Sequence, residues 1–480
     1  MTLDFDACYR AVSARDRRFD GRFYTAVRTT GIYCRPICPA RTPRQSNITF
    51  YRHAAAAEAA GFRPCRRCRP ELSPGDPGWD YRGDLVGRAL RLIDEGVVDD
   101  FGVAGLARRL HVTERHLLRL FTAELGVAPL AVARTRRLLT AKQLLTETSL
   151  PVTDVAFASG FGSVRQFNAT FREAYGFAPS DLRARGRVSE PLDRPFSVRL
   201  DYRPPFDAAA LLGFLASRAV PGVERVDENG YTRTVPGPGV ITLTPADGHV
   251  RLRANVPDLR GFSRLVHRSR RLLDLDADPE AITTMLSREP VMARLAAARP
   301  GLRVPGAMDG FELAVRAVVG QQISVAGART LLGRIAERAG TPYAAECGLT
   351  RLFPTAAQLA DADLSGLGLT GRRVATLTAL ASAVASGELD LDGGDPAETV
   401  DGLLALPGIG PWTAGYIAMR ALRDPDAFPA GDLALRNAMT RLGIEGEAAA
   451  EAWRPWRAYA ALHLWTSLSD PEASALPRTA

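Results

Sequence analysis

The chain has 480 residues, 46% of them apolar and 24% charged, which excludes a disordered chain and leaves material for several packed cores. Its formal charge is +8 and Lys142 is the single lysine, so the positive charge is almost all arginine. Planar guanidinium forks suit phosphates and guanine edges, which makes nucleic acid the leading partner.

No apolar run reaches the roughly 18 residues of a membrane span, and the N-terminus MTLDFDACYR lacks a signal peptide's basic and apolar regions. The expectation is a cytoplasmic protein with no membrane partner. In that compartment clustered cysteines are metal ligands or reactive thiols before they are disulfides.

Three stretches mix proline, glycine and charge: PELSPGDPGWDYRGD, RARGRVSEPLDRP and ARPGLRVPGAMDG. They predict four blocks, 1–75, 84–186, 195–305 and 306–470. The first holds Cys34-x3-Cys38 and Cys65-x2-Cys68, two close pairs that can converge on one tetrahedral zinc ion. Spacing alone favours a closed structural knot, since most such sites are inert. Cys8 and Cys347 stand alone, without metal spacing.

The second block shows apolar residues at helical spacing throughout. GLARRLHVTERHLLRLFTAELG reads as helix, break at HVT, and a helix capped by Thr113. VTDVAFASGFGSVRQFNATFREAYG repeats the pattern, with Gly160 and Gly162 at the turn. In the third block FSVRLDYRPP, YTRTV, GVITLTP and HVRLRANV alternate as strands do, around the helix AAALLGFLASRA. The fourth is helical again. Within it LPGIGPWTA reads as helix, glycine hairpin, helix: Gly408 and Gly410 let the backbone approach a phosphate, which the next helix's N–H groups can hold, often through a monovalent cation. Asp432 follows twenty residues after Trp412, placed as an N-cap of LALRNAMTRL.

These motifs carry resemblances. AVRTTGIYCRPICPARTPRQSNITFY followed by AAGFRPCRRCRPE resembles the metal-binding, methylphosphotriester-repair domain of the Ada family of bacterial alkylation-response proteins. The resemblance implies zinc on Cys34, Cys38, Cys65 and Cys68, with Cys34 also the methyl acceptor. Arg41, Arg63, Arg66 and Arg67 surround the ligands as backbone contacts, or else form a solvated basic face.

The paired helix-turn-helix pattern ending GFAPSDLRAR resembles the AraC-type DNA-binding domain. It implies second helices in adjacent major grooves, offering Glu114, Arg115, His116 and Arg119, then Ser163, Arg165, Gln166 and Asn168. Promoter DNA and RNA polymerase are the expected partners.

From YRPPFDAAALLGFLASRAVPGVE to WRPWRAYAALHLWTS the chain is similar to the helix-hairpin-helix glycosylases, in detail the AlkA-type 3-methyladenine DNA glycosylase II. That implies Asp432 as catalytic carboxylate, and Phe214, Trp412, Tyr416 and Trp465 as an aromatic cleft suited to cationic alkylpurines. It also implies Gln322 as the side chain filling the gap left by a flipped base. Bifunctional members carry a lysine just after the hairpin; Trp412 stands there, so a monofunctional enzyme is expected. No four-cysteine cluster follows, so no iron–sulfur cluster is expected. Nor does a Pro-Cys-His-Arg motif occur, so O6-methylguanine transfer is expected to be absent.

The predicted fold is a multidomain α+β chain: a small zinc-binding α/β domain, an all-α double helix-turn-helix domain, a small α+β subdomain with a TBP-like sheet, and an all-α helix-hairpin-helix domain. The predicted function is alkylation repair and response in a bacterial, nucleoid-associated protein acting on alkylated and promoter duplex DNA. The competing expectation is a transcription factor whose C-terminal half grips DNA without catalysis.

Overall fold

The computed structural model describes residues 3–80, 85–185, 195–237 and 239–468. The expected domain limits at residues 84, 186 and 470 lie outside the described residues. Two compact units emerge, Met1–Arg203 with Ala246–Arg270, and Pro204–Pro245 with Arg271–Ala480.

The first unit opens with the helix Phe5–Ala14, whose N-cap Asp4 accepts from the Ala7 N–H at 2.8 Å. Its buried face sets Cys8, Ala11 and Val12 beside Phe23, so Cys8 is a core residue. A four-stranded sheet follows, in spatial order Ile48–Tyr51, Tyr24–Val27, Ile32–Cys34 and Arg63–Pro64. The last pairing is parallel and sets Tyr33 opposite Pro64; the Cys65 N–H then donates to the Tyr33 carbonyl at 2.9 Å. That register brings the second cysteine pair beside the first. The helix Ala54–Ala59, almost all alanine, is slim enough to pack Ala54 and Ala57 directly on Tyr24 and Tyr33.

The helical part of this unit repeats one design. The helix Glu114–Leu125 starts at Thr113, whose hydroxyl accepts from the His116 N–H at 3.2 Å, and buries Leu117, Phe121 and Leu125. The helix Val164–Tyr175 starts at Ser163, which accepts from the Gln166 N–H at 3.2 Å, and buries Phe167, Phe171 and Tyr175. The i, i+4, i+8 spacing puts each trio on one stripe. Each helix ends on a glycine in the left-handed region, Gly126 at φ 75° and Gly176 at φ 76°, where a side chain costs about 1 kcal/mol.

Between them runs the helix Pro129–Glu147, against Ala54–Ala59. Thr135 on it donates to Glu58 at 2.6 Å, and Tyr33 of the sheet donates to the other carboxylate oxygen at 2.9 Å. Burial pushes the Glu58 carboxyl up to about 7, against the opposing pull of those two hydroxyls. The strands Phe196–Asp201 and His249–Asn255 pair antiparallel in the same unit, burying alternate residues such as Val198 and Leu252.

In the second unit Glu224–Asp227, Gly230–Val235 and Gly239–Ala246 form an antiparallel meander. The helix Gly310–Val319 is buried along nearly its whole length, as its sequence FELAVRAVV requires. Two hydrophobic clusters fill the unit. One centres on that helix, with Leu332, Leu377, Leu403 and Ile417. The other gathers Met292, Leu435, Met439, Trp453 and Leu462. The helices Pro396–Ala405 and Pro411–Arg420 flank the hairpin, and Leu433–Arg441 and Arg457–Ser467 follow. The strand and helix expectations from LLGFLASRA to the hairpin are all met.

Candidate functional site

The four sulfurs of Cys34, Cys38, Cys65 and Cys68 all lie within 4.8 Å of one another. Tetrahedral zinc with Zn–S bonds of about 2.3 Å separates its sulfurs by about 3.8 Å, so the donor set fits that ion. Two backbone donors serve the sulfurs: the Arg35 N–H reaches Cys68 Sγ at 3.3 Å and the Arg67 N–H reaches Cys65 Sγ at 3.4 Å. Cys65 and Cys68 are buried, while Cys34 and Cys38 are half-buried.

Cys34, Cys38 and Cys65 line a cavity of about 470 Å³, and Arg41, Arg63, Arg66 and Arg67 line it too. All four arginines are exposed, Arg66 lying 4.8 Å from the Phe177 ring centroid and Arg63 donating to the Tyr175 carbonyl at 3.5 Å. The expected basic rim is therefore assembled in one place.

Two buried cations stand behind the sulfurs. Arg35 is 4% exposed, bonded to Asp20 at 2.9 Å, to the Cys68 carbonyl at 3.2 Å and to Asp201 at 3.3 Å. Lys142 is equally buried, paired with Glu71, and donates to the Cys65 carbonyl at 3.3 Å. Neither had a local signal: in an arginine-rich chain Arg35 looks like any other, and Lys142 sits mid-helix with its partners distant in sequence.

Of the expected DNA readers, Glu114, Arg115, His116 and Arg119 lie in the first turns of Glu114–Leu125, and Arg165, Gln166 and Asn168 in those of Val164–Tyr175. Ser163 is exposed and is the N-cap of its helix, as Thr113 is of the other. Arg115, Arg119, Arg165 and Gln166 are exposed; His116 and Asn168 are half-buried, and His116 Nδ1 meets an Arg119 nitrogen at 3.0 Å.

In the second unit Phe214, Trp412, Tyr416, Trp465 and Asp432 all line one cavity of about 660 Å³. Asp432 caps Leu433–Arg441: its Oδ1 accepts from the Leu435 N–H at 2.8 Å and from Trp465 Nε1 at 3.0 Å. Its Oδ2 accepts from Trp412 Nε1 at 2.7 Å. The cap and the cavity carboxylate are thus one residue, aimed by a helix end and two indoles. Tyr416 stacks on Trp412 with centroids 5.6 Å apart and meets Trp465 edge-on at 6.3 Å.

Gly408 sits at φ 87°, where an added Cβ would lie 2.1 Å from Thr376 Oγ1, so only glycine fits. Gly410 begins Pro411–Arg420 with no side-chain cap, leaving that helix's first N–H groups open to an anion. Gln321 ties the hairpin down, its Nε2 donating to the Gly408 carbonyl at 3.0 Å and to Thr413 Oγ1 at 2.8 Å. The adjacent Gln322 is exposed in the left-handed region at φ 55°. For a residue with a side chain this is a strained turn, held by its neighbours.

The cavity also holds charges that the motifs did not point to: Arg218, Arg420, and a cluster of Glu224, Arg233, Glu312 and Arg316. Within the cluster Arg233 reaches Glu312 at 2.8 Å and Arg316 reaches Glu224 at 2.7 Å. Here a signal existed. Glu312 and Arg316, four apart on an otherwise apolar helix, had to be buried together.

Comparison with known proteins fits this geometry. Residues 7–71 match the metal binding domain of Ada, 106–185 a helix-turn-helix domain, 197–309 the AlkA N-terminal domain, and 315–457 the HhH-GPD superfamily of base excision DNA repair proteins. A probable bifunctional transcriptional activator/DNA repair enzyme AlkA of Mycobacterium tuberculosis is 48% identical over 485 residues, covering 98% of each chain. The chain belongs to this AlkA-type bifunctional family.

DNA-3-methyladenine glycosylase 2 of Escherichia coli is 37% identical over 280 residues, 55% of this chain and 95% of that one. The bifunctional transcriptional activator/DNA repair enzyme Ada of Escherichia coli is 35% identical over 184 residues, 38% of this chain and half of that one. The solved 3-methyladenine DNA-glycosylase from Archaeoglobus fulgidus shares the fold with a TM-score of 0.50 at 23% identity, over 56% of this chain and 96% of that one.

The AlkA-type chain thus joins repair and transcription activation, binds DNA, holds one Zn²⁺ in its four-cysteine cluster and carries a DNA glycosylase domain.

Proposed function

We propose that this chain repairs two alkylation products by different chemistry: it takes a methyl group from DNA methylphosphotriesters onto Cys34, and it excises alkylated bases such as 3-methyladenine by hydrolysis. The observation that carries the base-excision half is the triple anchoring of Asp432 by the Leu435 N–H and the Trp412 and Trp465 indoles. An anion so fixed needs no reorganisation as positive charge builds on the sugar.

The bond from C1′ to the base nitrogen breaks, its electron pair leaving with the base. Asp432 faces the resulting oxocarbenium-like sugar, and water adds to C1′ while its proton passes to the carboxylate. Trp412 stands just after the hairpin, where bifunctional relatives carry a lysine, so that position offers no amine for a Schiff base and the product is an unnicked abasic site. The hairpin holds backbone phosphate, with or without a monovalent cation, and Gln322 fills the space of the flipped base.

At the other site, zinc when bound keeps the cysteine sulfurs as thiolates at neutral pH. Cys34 Sγ, half-exposed to the arginine-rimmed cavity, bonds to the methyl carbon of a phosphotriester while the carbon–oxygen bond breaks. The electron pair returns to the phosphate, leaving a diester anion and a Cys34 thioether. The cluster loses one negative charge, phosphates are repelled less, and affinity for DNA rises. The helix-turn-helix pair then activates transcription at promoter sites through RNA polymerase, in the cytoplasm at the nucleoid.

Release of methylpurine from alkylated duplex, followed by chromatography, tests the enzymatic half. Release by the wild-type chain and none by Asp432→Asn supports it. If neither protein frees a base, the C-terminal half only grips DNA.

A further inference from the structure

Two of the cations that line the cavity around Asp432, those beside Phe214, have no role in base excision as proposed. Arg218, the last residue of the helix Ala208–Arg218, places its guanidinium carbon 3.8 Å from the centroid of the Phe214 ring. Arg420, the last residue of Pro411–Arg420, lies 4.8 Å from the same ring and 5.4 Å from that of Tyr416. Phe214 is therefore not an open stacking face but one already occupied by guanidinium.

The two arginines differ in how firmly they are held. Arg420 is 6% exposed and tied to the carbonyls of Pro305 at 2.7 Å and Gly306 at 3.2 Å and to the Tyr416 hydroxyl at 2.6 Å. Arg218 is half-buried, bonds within its own helix to Ser217 Oγ at 2.9 Å and the Phe214 carbonyl at 3.4 Å, and among the described residues reaches outside it only to the Tyr416 hydroxyl. Among the described residues neither has a carboxylate partner, unlike Arg233 and Arg316 deeper in the same cavity. Their field shows at Tyr416, where burial pushes the phenol up and the guanidiniums of Arg420 and Arg218 outweigh it, leaving it below the ordinary tyrosine value. Of the two, Arg218 is the more loosely held: it has one partner outside its helix where Arg420 has two, the Pro305 and Gly306 carbonyls.

Charge then decides which bases gain. An N-alkylated purine is a cation and leaves as a neutral molecule: the C1′–N bond breaks, water adds to C1′, and water's proton goes to solvent by way of Asp432. A neutral lesion, such as a deaminated purine, leaves as an anion that afterwards takes a proton from water. Its transition state carries developing negative charge on the base, which a nearby guanidinium attracts, whereas the cation entering the cleft is repelled by the same group.

We propose that Arg218 is a specificity-determining residue: it covers Phe214 in the free protein and tilts excision toward bases that leave as anions and away from bases that enter as cations. The proposal rests on the glycosylase reading above. Half a unit of charge about 6 Å from a guanidinium, at an effective dielectric near 20, is worth about a tenfold change in rate.

The test uses the full zinc-loaded chain on two duplexes, one carrying a single hypoxanthine (neutral) and one a single 7-methylguanine (cationic), under single-turnover conditions. Arg218→Ala should lower hypoxanthine release about tenfold while 7-methylguanine release stays level or rises. Arg218→Lys, which keeps the charge, should restore most of the wild-type ratio. An equal fall on both duplexes, or a Lys variant no different from Ala, overturns the assignment and makes Arg218 a packing residue. A wild-type chain that releases neither base removes the glycosylase reading itself, a result distinct from an unmoved ratio.

Discussion

Cys34 and Asp432 each stand at the wall of a cavity, of about 470 and 660 Å³, and the two cavities manage charge in opposite ways. Around Cys34 the arginines that face outward, Arg41, Arg63, Arg66 and Arg67, are exposed, and the buried cations Arg35 and Lys142 are each matched by carboxylates, Asp20, Asp201 and Glu71. Around Asp432 the carboxylate is held by neutral N–H groups, while Arg218 and Arg420 have no acidic partner among the described residues. A phosphate lies on the DNA surface and can be met by long, mobile side chains. A base must be drawn out of water, so whatever charge waits in its cleft is felt at full strength.

The largest expected effect strikes the first region alone. Cys68 is buried, lines no part of the cavity and accepts from the Arg35 N–H, so it serves as a ligand and not as a nucleophile. Cys68→Ser should abolish stoichiometric zinc, measured by metal analysis, and with it Cys34 methylation, because structural zinc contributes on the order of 10 kcal/mol to such a fold. Base release by the same variant should persist; its loss would mean that the cleft depends on the metal.

A smaller effect concerns Glu58, whose folded value of about 7 lies above the ordinary 4.5. A raised acid favours the folded state fully below pH about 4.5 and loses that contribution as pH climbs through 7. Between pH 5 and 8 the cost to the first unit should reach roughly 3 kcal/mol. Glu58→Gln should remove that slope and raise the urea midpoint of zinc release at pH 8 while changing little at pH 5. Parallel pH profiles for the two proteins would refute it.

The smallest effect sharpens the cleft. Trp465→Phe keeps a ring beside Tyr416 but deletes the donor to Asp432 Oδ1. Hydrogen bonds to charged groups contribute about 1.5 to 3 kcal/mol, so single-turnover base release should slow about ten- to a hundredfold with methyl uptake untouched. An unchanged rate would leave Trp465 as a stacking wall only.

Much of the fold could be read from the chain because its signals are local. Thr113 and Ser163 announce helix starts, the glycines after Leu125 and Tyr175 announce their ends, and the alternation in GVITLTP announces a strand. The cysteine pairs carry their own spacing. Asp432 could be noticed through its motif, but not the reason for its aim: Trp412 and Trp465 lie 20 and 33 residues away, and the aromatics expected to stack on a base also use their N–H edges to hold the carboxylate. Arg35, Lys142, Arg218 and Arg420 were invisible for a different reason. What each does depends on whether a carboxylate faces it, and only tertiary packing decides that.

We propose that one chain runs two separable repair chemistries, one on Cys34 and one on Asp432. The most direct test gives methylated duplex to the wild type, Cys34→Ala and Asp432→Asn, and follows both freed methylpurine and protein mass in each reaction. Asp432→Asn should gain one methyl group on Cys34 while its base release falls about a thousandfold, and Cys34→Ala should free bases normally but gain no methyl. Loss of both products in either variant, or persistence of both, would contradict it.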